Sequence, residues 1–246
     1  MKYIRPYFSL ILLIILIFNG VTKAFATNTG FSTESLAESS INTFLKNVNI
    51  SMSTTEPLKK SIDCFSVNEN GLIAIGSSDH EIKTVCVYTT CGNFQYSFNF
   101  KCTGSFGIEM DNNNILYIYF VRSDVAVSVS PDGEIINVRK ILNTSENNDY
   151  WNKSVYLTKR SVGDEVYILK NNTGIFSIFA SSYSQLVRIN SNGEKTVLYD
   201  VSSEQLIYNI VLFSIFLFIA LFVFGISFQF HKNKMKNDDD VTHTAK

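Results

Sequence analysis

Four groups of side chains are of types that carry out chemistry, and their spacing decides which chemistry is open to them. Glu109 and Asp111 stand two apart in a run whose alternation places both on one face of an extended strand. Paired carboxylates serve acid–base glycoside cleavage, one protonating the leaving oxygen while the other attacks or activates water. His80 lies in Ser77-Ser78-Asp79-His80-Glu81 and is the sole histidine between residues 27 and 206. Nucleophilic catalysis sets such a base beside an activated Ser or Cys, and no nucleophile-elbow motif accompanies it, so His80 reads as a solvated loop residue. Cys64, Cys86, Cys91 and Cys102 lack the closely spaced pairs of a zinc site, which leaves disulfides, with three complete pairings open to four cysteines. Asp238, Asp239 and Asp240 form an acidic run without the ligand spacing of a calcium loop. The chain is therefore expected to hold no metal or cofactor and not to be an enzyme.

Hydropathy shows which elements must position these residues. Of 246 residues, 46% are hydrophobic and only 17% charged, with a mean hydropathy of +0.09. Soluble domains carry about 25% charged residues, so part of this apolar content lies outside a water-facing fold. Two segments account for it. Lys2 and Arg5 precede an apolar run over residues 8–18, and Ala24-Phe25-Ala26 supplies small residues at Ala24 and Ala26 for cleavage. Residues 1–26 thus read as a secretory signal peptide, with an apolar part too short to cross about 30 Å of hydrocarbon. Residues 210–230 hold no charged side chain. At about 1.5 Å per residue they cover the bilayer core, and the transmembrane helix is placed at residues 207–230. His231, Lys232, Lys234 and Lys236 follow it, whereas Asp200 and Glu204 precede it. The positive-inside rule puts the tail, residues 231–246, in the cytoplasm and residues 27–206 outside the cell membrane. That exported part carries 14 Lys and Arg against 19 Asp and Glu. Its negative balance excludes nucleic acid and electrostatic adhesion to anionic headgroups.

Residues 27–60 are rich in Ser, Thr and Asn and read as a linker. Within it Leu36, Ile41, Phe44, Leu45 and Val48 recur at helical spacing behind Ser32 and Thr33, which predicts a short helix. From residue 61 the period changes to two. Asn70-Gly71-Leu72-Ile73-Ala74-Ile75, Asn113-Asn114-Ile115-Leu116-Tyr117-Ile118 and Gly163-Asp164-Glu165-Val166-Tyr167-Ile168 are three copies of a turn followed by a buried strand, 43 and 50 residues apart. A second turn recurs as Thr90-Cys91-Gly92-Asn93, Ser130-Pro131-Asp132-Gly133 and Asn190-Ser191-Asn192-Gly193. The unit is strand, turn, strand, loop, strand, turn, strand, repeated over residues 61–104, 105–142 and 153–200.

On these residues the chain resembles β-propeller repeats of the loose NHL- or WD-like kind. The resemblance implies an all-β fold: a short propeller-like array of about three four-stranded antiparallel units over residues 61–206. No Trp-Asp blade signature is present, and closed propellers have about four to eight blades. Three units leave one face uncovered at each end, and repeat proteins need caps or partners there. The helix around Leu36 to Val48 is expected to cover one face. The apolar segment with Ile175, Phe176, Ile178 and Phe179 is expected to cover the other or to contact a partner or the membrane, and two arrays meeting face to face would make six units. In propeller glycosidases the carboxylates converge from several blades, whereas the positions equivalent to Glu109 and Asp111 are Ser66 and Asn68, which weakens the hydrolase reading. Blade geometry puts Cys64 and Cys102 at one end and Cys91 at the other, so Cys64–Cys102 is the bridge favoured on oxidation.

The reading that results is a single-pass, membrane-anchored surface protein whose exported domain is a binding or interaction module. Its alternatives are an accessory or sensor subunit of a membrane complex and a cell-envelope hydrolase. The expected partners are the membrane and a protein, either another chain or a second copy. A reporter fused after Lys246 is expected to be active only in the cytoplasm, and the mature chain to begin at Thr27. Protease added to intact cells should degrade residues 27–206, and protection of that region until lysis would reverse the topology.

Overall fold

The computed structural model describes residues 30–243, without the side chains of Phe179 and of residues beyond 226. The signal peptide with Ala24 and Ala26, and the side chains of the basic flank after the apolar helix, lie outside the described residues.

Three antiparallel sheets follow the repeat. Unit 1 comprises β3 (Ile62–Val67), β4 (Leu72–Asp79), β5 (Ile82–Thr89) and β6 (Phe94–Lys101). Unit 2 comprises β7 (Phe106–Met110), β8 (Leu116–Phe120), β9 (Val125–Val129) and β10 (Ile135–Ile141). Unit 3 comprises β11 (Lys159–Val162), β12 (Glu165–Lys170), β13 (Gln185–Ile189) and β14 (Lys195–Asp200). Each unit is a meander in which sequential strands pair, as propeller-like repeats require. The turn before each fourth strand is built alike. Gly92, Gly133 and Gly193 take φ of 84°, 88° and 81°, a left-handed conformation that a Cβ disfavours. Their amides bond back to Thr89, Ser130 and Asn190.

The segment expected as a linker is part of the fold. β1 (Thr33–Ser35) pairs with β10, and β2 (Ser51–Ser53) pairs with β6, so units 1 and 2 become five-stranded. Both additions cover edge strands whose backbone groups would otherwise lack partners. Between them runs α1 (Glu38–Val48), ended by Asn49 in a left-handed conformation. Its apolar stripe, Ile41, Phe44 and Leu45, packs with Leu36 just before it on the core shared by units 1 and 2, with Phe44 set edge-on to Phe120 at 5.1 Å. The helix therefore closes a seam and does not cover the end of the array.

Strand alternation explains how the units meet. One face of unit 1 carries Cys64, Ala74, Val85, Val87 and Phe98, and packs on Phe106, Ile108, Leu116, Ile118 and Val127 of unit 2. Its other face carries Phe65, Ile73, Ile75, Cys86 and Tyr88, and packs on Tyr167, Leu169, Leu186 and Tyr199 of unit 3. Unit 1 is thus the middle layer. The outer face of unit 2, with Tyr117, Tyr119 and Ala126, is covered by a helical insert between the second and third units: α2 (Ser145–Tyr150) and the wider turn Trp151–Val155. Thr144 caps it by accepting the Asn147 amide at 3.2 Å. Phe31 wedges in edge-on to Tyr119 and Tyr150 at 4.9 and 4.6 Å.

In unit 3 a short 3-10 turn, Gly174–Phe179, stands between β12 and β13. After β14 only Val201 intervenes before α3 (Ser202–His243). Its stretch Ser202–Ile226 is long and apolar enough to cross a membrane, with a mean hydropathy of 2.7 over its most apolar 18 residues.

The two-faced burial of unit 1 leaves little slack. A Cβ on Gly76 would lie 2.6 Å from the Cys64 sulfur and 2.9 Å from the Phe106 ring. Gly76→Ala is expected to destabilise the domain by about 1–3 kcal/mol through overpacking, read as a lowered thermal midpoint of the purified full-length protein. An unchanged midpoint would mean that the units 1 and 2 seam is looser than described.

Candidate functional site

A break in one strand register lies beside a polar concavity of the domain. Ile62 pairs with Ser77 and Cys64 with Gly76, which leaves Asp63 as the extra residue of a β-bulge. Bulges re-aim a side chain, and here the Asp63 carboxylate accepts a hydrogen bond from the Ser78 hydroxyl. Lys83, opposite Ser78 on β5, is only 6% exposed, and its Nζ donates to the His80 carbonyl at 2.7 Å. Burial raises the Asp63 pKa above the ordinary carboxylate range, and the Ser78 hydrogen bond and the Lys83 charge offset part of that rise.

Around this pair lies a cavity of about 330 Å³, and all three units line it. Unit 1 supplies Asp63, Ser78 and Lys83, the start of unit 2 supplies Ser105 and Phe106, the end of the helical insert supplies Tyr156, and unit 3 supplies Ser181. The Tyr156 hydroxyl donates to the Phe106 carbonyl at 3.3 Å. Its phenol is held above the ordinary range, first by burial and then by Cys64, Cys102 and Asp63 nearby. One acid, one ammonium group and several hydroxyls converge in a space of small-molecule size. Ser78 also lines a neighbouring cleft of about 230 Å³, whose other wall is Glu204, Gln205 and Tyr208 at the start of α3.

The sequence reading did not single out these residues. The signal was present: Asp63 and Lys83 each interrupt an otherwise apolar or β-branched run, in Ile62-Asp63-Cys64-Phe65 and Ile82-Lys83-Thr84-Val85. A charge inside a buried strand needs a partner or a ligand.

The residues that were singled out are placed differently. Glu109 accepts from the Tyr119 hydroxyl at 2.7 Å and from Tyr150 at 2.8 Å, beneath the helical insert. Asp111 accepts the amides of Asn113 and Ile115 at 2.9 and 2.8 Å and so shapes the β7–β8 turn. Each carboxylate holds local structure. Ser66 and Asn68 meet the same strand from unit 1: Ser66 Oγ accepts from the Met110 amide, and Asn68 Nδ2 donates to the Asp111 carbonyl, both at 3.0 Å. The His80 side chain is 95% exposed in the β4–β5 turn.

All four cysteines are free thiols, with Cys91 exposed and the others buried. The structure does not bring Cys64 and Cys102 together. Cys64 is on β3 and Cys102 just beyond β6, with β4 and β5 between them. Three inter-strand steps amount to about 14 Å, twice the Cα separation a bridge tolerates. Sharing one end of a blade is not enough, because the blade is also wide. Ile175, Phe176 and Ile178 lie in the 3-10 turn, where Phe176 packs edge-on against Phe213 of α3 at 5.9 Å. That turn meets the apolar helix.

No protein-family model matches the chain, and no curated protein matches it. Solved structures similar to it include two of virginiamycin B lyase from Staphylococcus aureus. The selenomethionine-substituted form is 13% identical with a TM-score of 0.24, over 56% of this chain and 40% of that one. A catalytically inactive form with quinupristin is 13% identical with a TM-score of 0.27, over 59% of this chain and 43% of that one. The chain thus spans less than half the length of either, and nothing about its chemistry follows from a likeness this slight.

The burial of the thiols has a direct readout. Burial pushes the Cys86 thiol up to about 11 and raises those of Cys64 and Cys102, so all three are poor nucleophiles at neutral pH. A maleimide is expected to label Cys91 alone in the native protein and all four after denaturation. Recovery of a Cys64–Cys102 linked peptide would show that the sheet is narrower or more mobile than described.

Proposed function

We propose that this protein is a membrane-anchored binding module that holds a small polar ligand where its three β units meet. The observation that carries the reading is the Asp63–Ser78–Lys83 cavity, because it exists only where all three units contribute to its wall. An acceptor carboxylate beside a donor ammonium, ringed by hydroxyls, suits a ligand of amino-acid or monosaccharide size. Such a ligand presents donors and acceptors within a few ångströms of one another. In this reading α3 is the single membrane span, residues 27–206 are exported and the tail is cytoplasmic. The signal peptide and the basic flank in the sequence support that orientation.

A second reading, a sensor subunit, is favoured by one specific contact. Ser78 lines both the ligand cavity and the cleft against α3, and Gln205 Nε2 of α3 donates to the Ser182 carbonyl, one residue from cavity-lining Ser181. A ligand that draws Ser78 or Ser181 would act on the first turns of the helix. Hydrolysis by the Glu109 and Asp111 pair has no comparable support, since both carboxylates are engaged in local hydrogen bonds.

The test is calorimetric titration of the detergent-purified full-length protein with panels of amino acids and monosaccharides. Asp63→Asn and Lys83→Met are each expected to weaken any binding found at least tenfold, while Glu109→Gln leaves it unchanged. Affinity that needs the Asp63 carboxylate should fall on acidification at a pH above that expected for an exposed aspartate, because its pKa is raised. Binding that is indifferent to both substitutions would place the ligand elsewhere.

A further inference from the structure

We infer that the 3-10 turn Gly174–Phe179 is a second membrane contact, which dips Ile175 and Ile178 into the lipid beside the span. This rests on the reading of α3 as the membrane anchor and adds to it a surface of the β domain itself. Ile175 and Ile178 are 81% and 80% exposed, unusual for isoleucines in an ordered element of a water-facing domain. They stand three apart in a 3-10 turn, where side chains at that spacing eclipse, so both project to the same side.

The height of the turn is set by its contact with α3. Phe176 packs on Phe213, and Phe213 lies four residues beyond Asn209, the last strongly polar side chain before the apolar run that begins at Ile210. At about 1.5 Å per residue the Phe176 ring is level with the first turn of that stretch, at the edge of the hydrocarbon. On the same helix Asn209 is 7% exposed, whereas Tyr208 and Ile210 on either side are exposed, so one face of this turn of α3 is covered by the domain.

Composition selects lipid over a polar partner. No Asp, Glu, Lys or Arg occurs between Lys170 and Arg188. The segment therefore has no charge to lose on entering the interface and none with which to bind headgroups, so the contact is one of apolar burial. It is expected to persist at high salt.

The test uses the full-length protein in nanodiscs, in a Cys91→Ser background whose three remaining thiols are buried. Ile178→Cys carries a bimane label, with Phe218→Cys within the span and Asn192→Cys in the β13–β14 turn as references. Lipids with a shallow doxyl group are expected to quench the Ile178→Cys label at least twofold, with little quenching by aqueous iodide. Asn192→Cys should show the reverse. Quenching at Ile178→Cys by iodide and not by doxyl lipid would overturn the inference, and shielding from both would overturn it in favour of a protein contact. Failure of doxyl lipid with a deep-placed group to quench Phe218→Cys would instead overturn the membrane anchor itself. Should Ile178→Cys fold poorly, Ile175→Cys carries the same label and the same expectations.

Discussion

Everything in this domain depends on one sheet having no face left for water. In unit 1 the residues at odd and even positions are alike apolar, so the sheet is stable only as a middle layer. Units 2 and 3 therefore dock on it from opposite sides, although they follow each other in the chain. The helical insert at residues 145–155 then covers the free side of unit 2. Arg160 ties this arrangement together: its guanidinium donates to the Phe65 carbonyl of β3 at 2.9 Å and to the Ser154 carbonyl of the insert at 2.7 Å, and it lies over the Phe65 ring. Burial lowers its pKa, and the charge of Glu109 is the largest influence opposing that fall. The Glu109–Tyr119–Tyr150 cluster and Arg160 thus form one polar seam between the insert and the β layers.

Much of the local structure was legible in the sequence, and for local reasons. The turns Asn70-Gly71 and Ser130-Pro131-Asp132-Gly133 carry residues chosen for backbone conformation, and the strands beside them alternate or run apolar, so period and composition agree. The helix at Glu38–Val48 was legible from its apolar spacing. What was not legible is non-local. β1 and β2 are three-residue strands of Thr, Ser, Glu and Met whose pairing comes from the edges they meet. Their own propensities carry little of it. Thr144-Ser145-Glu146-Asn147 has the chemistry of a helix cap, yet six residues rich in Asn give too short a period to read as a helix.

The candidate site was hidden for a related reason. Asp63 and Lys83 stand 20 positions apart, and Tyr156 and Ser181 are distant from both in sequence. Spacing along the chain offers no hint of their convergence, which requires a bulge, a strand pairing and two inter-unit seams. The pair that spacing did suggest, Glu109 and Asp111, is an accident of alternation: Asp111 stands at a turn where a carboxylate is wanted for its acceptors. Paired acids on one strand are weak evidence of catalysis until something outside the strand also needs them.

The passage from β14 to α3 has a mechanical meaning. Val201 is buried, its amide bonds the Ser184 carbonyl at 2.9 Å, and its carbonyl accepts the Gln205 amide at 3.0 Å. The junction has no slack residue about which the domain can swivel, so strand and helix behave as a cantilever with its root in the sheet. A tether of flexible chain would let the β domain tumble and sample every orientation. A cantilever instead couples the domain's orientation to the helix's tilt, so that turning one end tends to turn the other.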